Sequence, residues 1–101
     1  MANSLTLLEN QTADVAAGAG LICNFNAPNS DAIITVWGVW GGATVALYFL
    51  APDGVTWIAS TGGTLTADGH IPIECTPTAQ FCLAVSGATA TTVLNASYEG
   101  V

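Results

Sequence analysis

The sequence has no lysine and no arginine among its 101 residues. Seven acidic residues and a single histidine give a formal net charge of −7. Nucleic-acid binding draws largely on cationic side chains that neutralise phosphates, so this composition argues against direct DNA or RNA binding. Attachment to anionic membrane surfaces is excluded on the same ground. Two uses of the acidic residues stay open: they keep an apolar domain soluble, or they meet a basic partner.

Long apolar runs are also missing, although 51% of the residues are hydrophobic and only 7% are charged. A transmembrane helix needs a run of about 18 apolar residues or more. The longest runs, 33–39 and 43–51, have the length of strands and are bounded by glycines or by Pro52. The first four residues show neither the positive nor the apolar region of a secretory signal. We therefore expect a chain that is made in a cytoplasm, with no membrane segment.

The cysteines do not form a metal or disulfide pattern. Cys23, Cys75 and Cys82 are odd in number, and their spacing does not match a zinc motif. Their apolar neighbours favour buried free thiols, because unpaired cysteine packs as a small apolar residue. A bridge between Cys75 and Cys82 across a hairpin is geometrically possible and stays open.

Catalytic groups are equally scarce. His70 is the only histidine, and no serine, cysteine or carboxylate pattern around it resembles a catalytic set. Without lysine or arginine, the chain cannot use either to stabilise a developing anion. Asp53 and Asp68 precede glycines, which is typical of turns and lacks the ligand spacing of calcium loops. We predict a protein that is not an enzyme, with no catalytic residues, no cofactor and no metal.

What the sequence does contain is short apolar runs rich in β-branched and aromatic residues, broken by Gly, Pro, Asn and Asp. They predict strands at 5–8, 21–25, 33–40, 43–50, 56–60, 64–66, 70–75, 81–86 and 91–99. Short strands with turn signals every 8 to 12 residues or so predict an all-β fold, an antiparallel β-sandwich or jelly-roll-like barrel of about eight strands. Nothing marks a second domain. We expect one β-sandwich domain over 1–101, with an N-terminal strand and an arm or loop in 1–20.

Glycines and prolines refine this prediction. Gly41-Gly42 predicts a hairpin between the strands at 33–40 and 43–50, each buried on both faces. Gly38 inside the first of these indicates a bulge or a close backbone approach. Pro52-Asp53-Gly54 predicts a tight turn. Pro72 cannot donate a hydrogen bond to a ladder, so it places its strand at a sheet edge or beside a bulge.

The aromatic residues predict a core cluster, with a sugar-binding platform as the alternative. They are Trp37, Trp40, Trp57, Tyr48, Tyr98, Phe25, Phe49 and Phe81. Trp40, at the end of its run, is the tryptophan that we expect to be exposed, and an exposed indole is a typical interface anchor. We name Trp40, Pro72 and His70 as candidate interface residues.

One series of motifs resembles a theme in small structural proteins of tailed bacteriophages. It comprises Trp37-Gly38-Val39-Trp40-Gly41-Gly42-Ala43-Thr44-Val45, then Pro52-Asp53-Gly54 and Trp57. The later segments 65–69 and 81–88 are similar to the rest of that theme. The resemblance covers residues 33–96.

This resemblance implies a virion component, and above all a head decoration or cement protein. Such a protein binds the major capsid protein on the capsid exterior, after synthesis in the host cytoplasm, as a homo-oligomer with a trimer favoured. The alternative from the same virions is a tail, neck or fibre component. A third hypothesis, from another class, is a carbohydrate-binding module that uses exposed tryptophans.

Overall fold

The computed structural model describes residues 3–19, 22–24, 31–74 and 80–100. Within these ranges the chain forms eight β-strands, and none of it forms a helix that could cross a membrane. The strands are β1 (Asn3–Gln11), β2 (Cys23–Asn24), β3 (Asp31–Val39), β4 (Thr44–Leu50), β5 (Trp57–Leu65), β6 (Gly69–Glu74), β7 (Gln80–Ser86) and β8 (Val93–Gly100). The predicted all-β sandwich of about eight strands is confirmed.

The strands form two four-stranded antiparallel sheets. Sheet A has the order β1-β8-β3-β6, and sheet B has the order β2-β7-β4-β5. The first strand thus pairs with the last, the second with the seventh, the third with the sixth, and the fourth with the fifth. This is the strand order of a jelly roll, in which one long folded hairpin wraps into two packed sheets.

The core lies between the two sheets and is built by alternate residues of the strands. Its fully buried members include Ile34, Val36, Val45, Leu47, Phe81, Leu94 and Ala96. The Phe81 ring of sheet B lies 5.3 Å from the Tyr98 ring of sheet A, centroid to centroid. Because aromatic pairs at this spacing attract each other beyond their buried area, this contact joins the sheets at the centre of the core.

The hairpin predicted at Gly41-Gly42 is wrong. The two glycines do form a turn with positive φ angles, and the Ala43 amide donates to the Trp40 carbonyl at 2.9 Å. However, the turn carries the chain from sheet A to sheet B, so β3 and β4 do not pair with each other. β3 pairs instead with β6 and β8, and β4 pairs with β5 and β7. The prediction that both strands are buried on both faces is also wrong, because the buried residues of each strand lie on one face only.

Two strands differ in length from the prediction. β1 continues to Gln11 through register shifts between Thr6 and Leu8 and between Leu8 and Gln11, with Asn10 at a positive φ of 50°. These bulges let the adjacent Leu7 and Leu8 both reach the core. β5 is one strand where two were predicted, since it continues through a register shift beside the Gly62-Gly63 pair. Of the strand predicted at 21–25, only Cys23–Asn24 is described.

Two local predictions are confirmed. Gly38 has φ 140°, and a Cβ built there would lie 2.2 Å from the Val93 carbonyl oxygen, so β8 approaches its backbone too closely for a side chain. Pro72 lies in β6, an edge strand of sheet A, opposite Ile33.

Candidate functional site

Hydrogen bonds between loops tie together one end of the sandwich. The loop after β1 contacts the loop between β7 and β8, where Asp14 Oδ1 accepts from the Ala88 amide at 2.8 Å. That second loop contacts the turn between β3 and β4, where Thr89 Oγ1 donates to the Gly41 carbonyl at 2.9 Å. Three connections of the jelly roll are therefore held against one another at this end.

Three threonines, Thr89, Thr91 and Thr92, lie where these connections meet. Thr92 is buried, and its hydroxyl donates to the Trp40 carbonyl and accepts from the Thr89 amide, each at 2.9 Å. A Cβ at Gly41 would lie 2.6 to 2.9 Å from the hydroxyl oxygens of Thr89, Thr91 and Thr92. Gly41, at φ 58°, thus supplies both the turn geometry and the space for the threonines.

The connection between β5 and β6 is held at the same end of the sandwich by Asp68. Its Oδ1 accepts from the Trp40 indole Nε1 at 2.8 Å and from the Gly38 amide at 3.1 Å. Trp40 is half-buried and packs against the core. The expectation that Trp40 is the exposed tryptophan is wrong, because Asp68 and the core hold its indole in place.

The outward surface of sheet A forms an open face. We define the open face by the outward-facing residues of β3, β6 and β8, which are Ile33, Thr35, Trp37, Val39, His70, Pro72, Val93, Asn95, Ser97 and Glu99. Trp37 is 44% exposed and Val39 is 54% exposed. Their neighbours Val36 and Ile34 face the core and are fully buried. The open face therefore presents an indole and an aliphatic side chain to solvent from one rigid strand.

Two of the three candidate interface residues, His70 and Pro72, belong to the open face. His70 and Pro72 are exposed on β6, and His70 Nδ1 lies 3.0 Å from Thr35 Oγ1 across the pair of strands. Trp40 lies beside the end of the same face, against Asp68. The structure thus brings the three predicted residues to one side of the molecule, while Trp37 and Val39 supply its most exposed apolar surface.

The outward surface of sheet B is partly covered by an arm, residues 12–19. Val15 exchanges two backbone hydrogen bonds of 2.9 Å with Val85 of β7. Gly18, at φ 83°, lies over Trp57, since a Cβ there would be 2.4 Å from its indole nitrogen. Residues 12–19 therefore pack on sheet B.

Cys82 lies beneath this arm. Its sulfur accepts a hydrogen bond from the Gly18 amide at 3.3 Å, the side chain is buried, and burial raises the pKa of its thiol. The prediction of a buried free cysteine is confirmed for Cys82. Cys75 and the side chain of Cys23 lie outside the described residues.

Three of the four sheet edges are poorly suited to pairing with another chain. β1 is interrupted by two register shifts, β6 contains Pro72, and β5 has a register shift next to Gly62, whose φ is 76°. Bulges and prolines at edge strands hinder addition of a further strand. These three edges are therefore poor templates for a further strand.

The aromatic residues divide between the core and the open face. Phe81 and Tyr98 are buried, which confirms the predicted core cluster for them, and Phe49 packs at its margin. In the part of the chain that the structure describes, Trp37 is the one exposed aromatic side chain. The core prediction is wrong for Trp37. Both faces of β3 carry apolar residues, so the sequence does not show that Val36 faces the core and Trp37 faces outward.

The turn at Asp53 lies at the opposite end of β4 from Gly41. Asp53 Oδ2 accepts from the Thr56 hydroxyl at 2.6 Å, and Oδ1 accepts from the amides of Thr56 and Val55 at 2.9 and 2.8 Å. These bonds, led by that of the Thr56 hydroxyl, lower the pKa of Asp53 from 3.8 to about 2. Asp53 is thereby explained as a turn residue, as the sequence predicts.

The side chains on the open face include apolar and acidic groups. Across residues 3–19, 22–24, 31–74 and 80–100, no group of three His, Cys, Asp or Glu side chains could hold a metal ion. The open face offers an exposed indole, aliphatic side chains and the Glu99 carboxylate, with the Asp68 carboxylate beside its end, for packing and for ionic contact. Comparison with protein-family models, with curated proteins and with solved structures gives no match for this chain.

Proposed function

We propose that the protein is a non-enzymatic structural component of a virion, a decoration or cement protein that binds the major capsid protein on the capsid exterior. The observation that carries the proposal is the open face, which exposes Trp37 and Val39 on a chain with no cationic lysine or arginine. The jelly-roll strand order adds a general likeness, because viral capsid domains use it, as do lectins and cupins. A fold alone does not assign a function.

The proposed mechanism is noncovalent. Apolar side chains of the open face pack on the shell while the carboxylates meet basic residues there. Copies assembled as a homo-oligomer, with a trimer favoured, bridge neighbouring capsomers, so modest single contacts add up through multivalency. Shell stability rises because each bridge must break before the capsomers separate.

A tail, neck or fibre component would use the same surface at another junction of the particle. Electron microscopy of intact particles separates these locations directly. The carbohydrate-binding hypothesis requires at least two coplanar exposed rings, whereas the described residues expose only Trp37. We therefore do not pursue it as a second candidate.

The test uses purified shells that lack this protein. We expect the wild-type protein to bind them and to raise the temperature at which they disrupt, measured by light scattering. Val39→Asp, on the open face, should abolish this effect, since it places a charge in the apolar contact.

The matched control is Val55→Asp, which adds the same charge at a side chain 77% exposed in the β4–β5 turn. It should protect the shells as the wild type does, and circular dichroism should show both variants folded. Wild-type protein that neither binds nor protects the shells would overturn the proposal.

A further inference from the structure

We infer that the open face receives an arginine of the partner protein, whose guanidinium stacks on the Trp37 indole and pairs with the Asp68 carboxylate. The inference rests on the proposed function and specifies the partner chemistry of the same surface. It is carried by the position of Asp68, the exposure of Trp37 and the charge of the whole chain.

Asp68 is held in place before any partner arrives. Two donors, the Trp40 indole and the Gly38 amide, both bond to its Oδ1. Gly69 of β6 lies opposite Val36 of β3, and the Gly38 amide reaches Asp68, so Asp68 lies beside the stretch of β3 that carries Trp37. Oδ2 accepts neither of these bonds, and Asp68 is exposed, so this oxygen is available to a donor from outside the chain.

Trp37 supplies a flat apolar surface on the same stretch of β3. It is 44% exposed and lies opposite Asn95 of β8, in the interior of a four-stranded sheet. Guanidinium groups stack on aromatic faces and bond to carboxylates in a planar geometry, whereas an ammonium group is a compact, strongly hydrated charge. The combination of a ring and a fixed carboxylate therefore favours arginine over lysine.

A second copy of this chain is a poor occupant of the open face. The chain carries no lysine or arginine, so two open faces in contact would confront Asp68 and Glu99 with further carboxylates. His70 would be the only side chain able to offset them. Like charges brought together at an interface weaken binding, so the partner is a different protein with basic side chains. Homo-oligomers of this protein would use other surfaces.

The first test measures binding of the variants Trp37→Ala and Asp68→Asn to the purified shells. We expect each to weaken binding about tenfold or more, as for a lost interfacial charge or aromatic anchor. Trp37→Phe, which keeps a ring, should recover part of the loss. If one guanidinium contacts both residues, the double variant should lose less than the product of the two single losses.

The matched controls are Val55→Ala and Asp53→Asn, at the opposite end of the molecule. They remove an exposed apolar side chain and a negative charge, respectively, and should bind as the wild type does. Wild-type binding should also decrease between about 0.05 and about 0.3 M NaCl more steeply than binding of Asp68→Asn, because salt screens the ionic contact.

The second test exploits the composition of the chain. Dicarbonyl reagents modify guanidinium groups, so in a complex they can mark only the partner's arginines. We expect the bound wild-type protein to shield a set of shell arginines from phenylglyoxal, and Asp68→Asn to shield them less. Prior modification of the shell arginines should prevent binding.

Several outcomes would overturn the inference. Wild-type shell binding that Trp37→Ala and Asp68→Asn leave unchanged would reject this contact while keeping the proposed function. Protection of shell lysines in place of arginines would reject the assigned side chain. Loss of self-association in these variants, seen by sedimentation, would make the occupant a second copy. Failure of the wild type to bind shells would instead reject the proposed function itself.

Discussion

The Trp40 indole makes the hydrogen bond that fixes Asp68, and this bond has a testable effect on stability. Trp40→Phe keeps an aromatic ring and removes the donor to Asp68 Oδ1. We expect the free energy of unfolding to decrease by about 1 kcal/mol, the net contribution of a typical hydrogen bond. For a domain of this size, this corresponds to a decrease in Tm of about 4 to 8 °C, measured by thermal denaturation followed by circular dichroism.

The control for this variant is Trp57→Phe. It makes the same change of ring at a half-buried indole that packs against Gly18. An equal decrease in Tm for both variants would show that the ring, and not the bond to Asp68, accounts for the loss.

Asp53 makes stability depend on acid pH. Hydrogen bonds from Thr56 and Val55 lower its folded-state pKa from 3.8 to about 2, so the folded protein favours the charged form. A lowered pKa contributes stability above the unfolded value, and this contribution is lost as the pH falls from about 4 to about 2. We expect Asp53→Ala to have a lower Tm than the wild type at neutral pH and to converge with it near pH 2.

Thr56→Val tests the cause of this effect. The Thr56 hydroxyl makes the largest contribution to the lowered pKa of Asp53, so its removal should flatten the pH dependence of Tm between those limits. If Tm depends on pH in Thr56→Val as it does in the wild type, the backbone amides of Thr56 and Val55 alone account for the lowered pKa of Asp53.

Single residues were predictable where their chemistry acts locally. The Asp53 turn, the close approach at Gly38 and the edge position of Pro72 follow from a side chain or its absence, whatever the rest of the fold. The exposures of Trp37 and Trp40 were not predictable, because Trp40 is held by Asp68, 28 residues away in the sequence. Contacts of this range appear only once the strands are paired.

At the scale of elements, the arm over sheet B offers the clearest prediction. Gly18→Ala places a methyl group against the Trp57 indole at a φ of 83°, so it should displace the arm from Cys82. We expect faster reaction of the Cys82 thiol with a disulfide reagent, because the Gly18 amide no longer covers it. Mass spectrometry of peptides cut at aromatic or acidic residues assigns the reaction to Cys82.

Gly54→Ala is the matched control for the arm. Gly54 has φ 77°, but a Cβ there meets no atom within 4 Å. Both variants carry the cost of a left-handed backbone, about 1 to 2 kcal/mol, and only Gly18→Ala adds a clash. Equal thiol reactivity in the two variants would mean that the arm does not shield Cys82.

The strands themselves were largely predictable from period-two patterns and turn residues, as the core positions Phe81, Leu83 and Val85 illustrate. Pairing was not. The polar residues that end β1 join the ladder through bulges opposite β8, and the glycine turn after Trp40 changes sheets. Local sequence records neither feature, because both depend on partners far along the chain.

At the scale of the whole molecule, the charge predicts an unusual response to salt. The molecule measures 38 × 31 × 20 Å and carries seven acidic residues without lysine or arginine. Raising NaCl from about 0.01 to about 0.1 M shortens the screening length from about 30 to about 10 Å, which weakens repulsion across the molecule.

We therefore expect Tm to rise with NaCl over this range, as measured by thermal denaturation at neutral pH. Acid reduces the negative charge of the chain, so repeating the series at pH 3 should give a smaller increase. A Tm that falls with added NaCl would indicate that attractive ionic contacts outweigh the repulsion.

The pairing of β1 with β8 has a consequence for how each copy is made. β8 lies between β1 and β3 and contributes Leu94, Ala96 and Tyr98 to the core. Until residues 93–100 have left the ribosome, sheet A lacks the strand that lies between β1 and β3. Folds dominated by such distant pairings form slowly, since segments far apart in the sequence must first meet. Sheet A is therefore incomplete during synthesis. The open face forms only once β8 has inserted between β1 and β3.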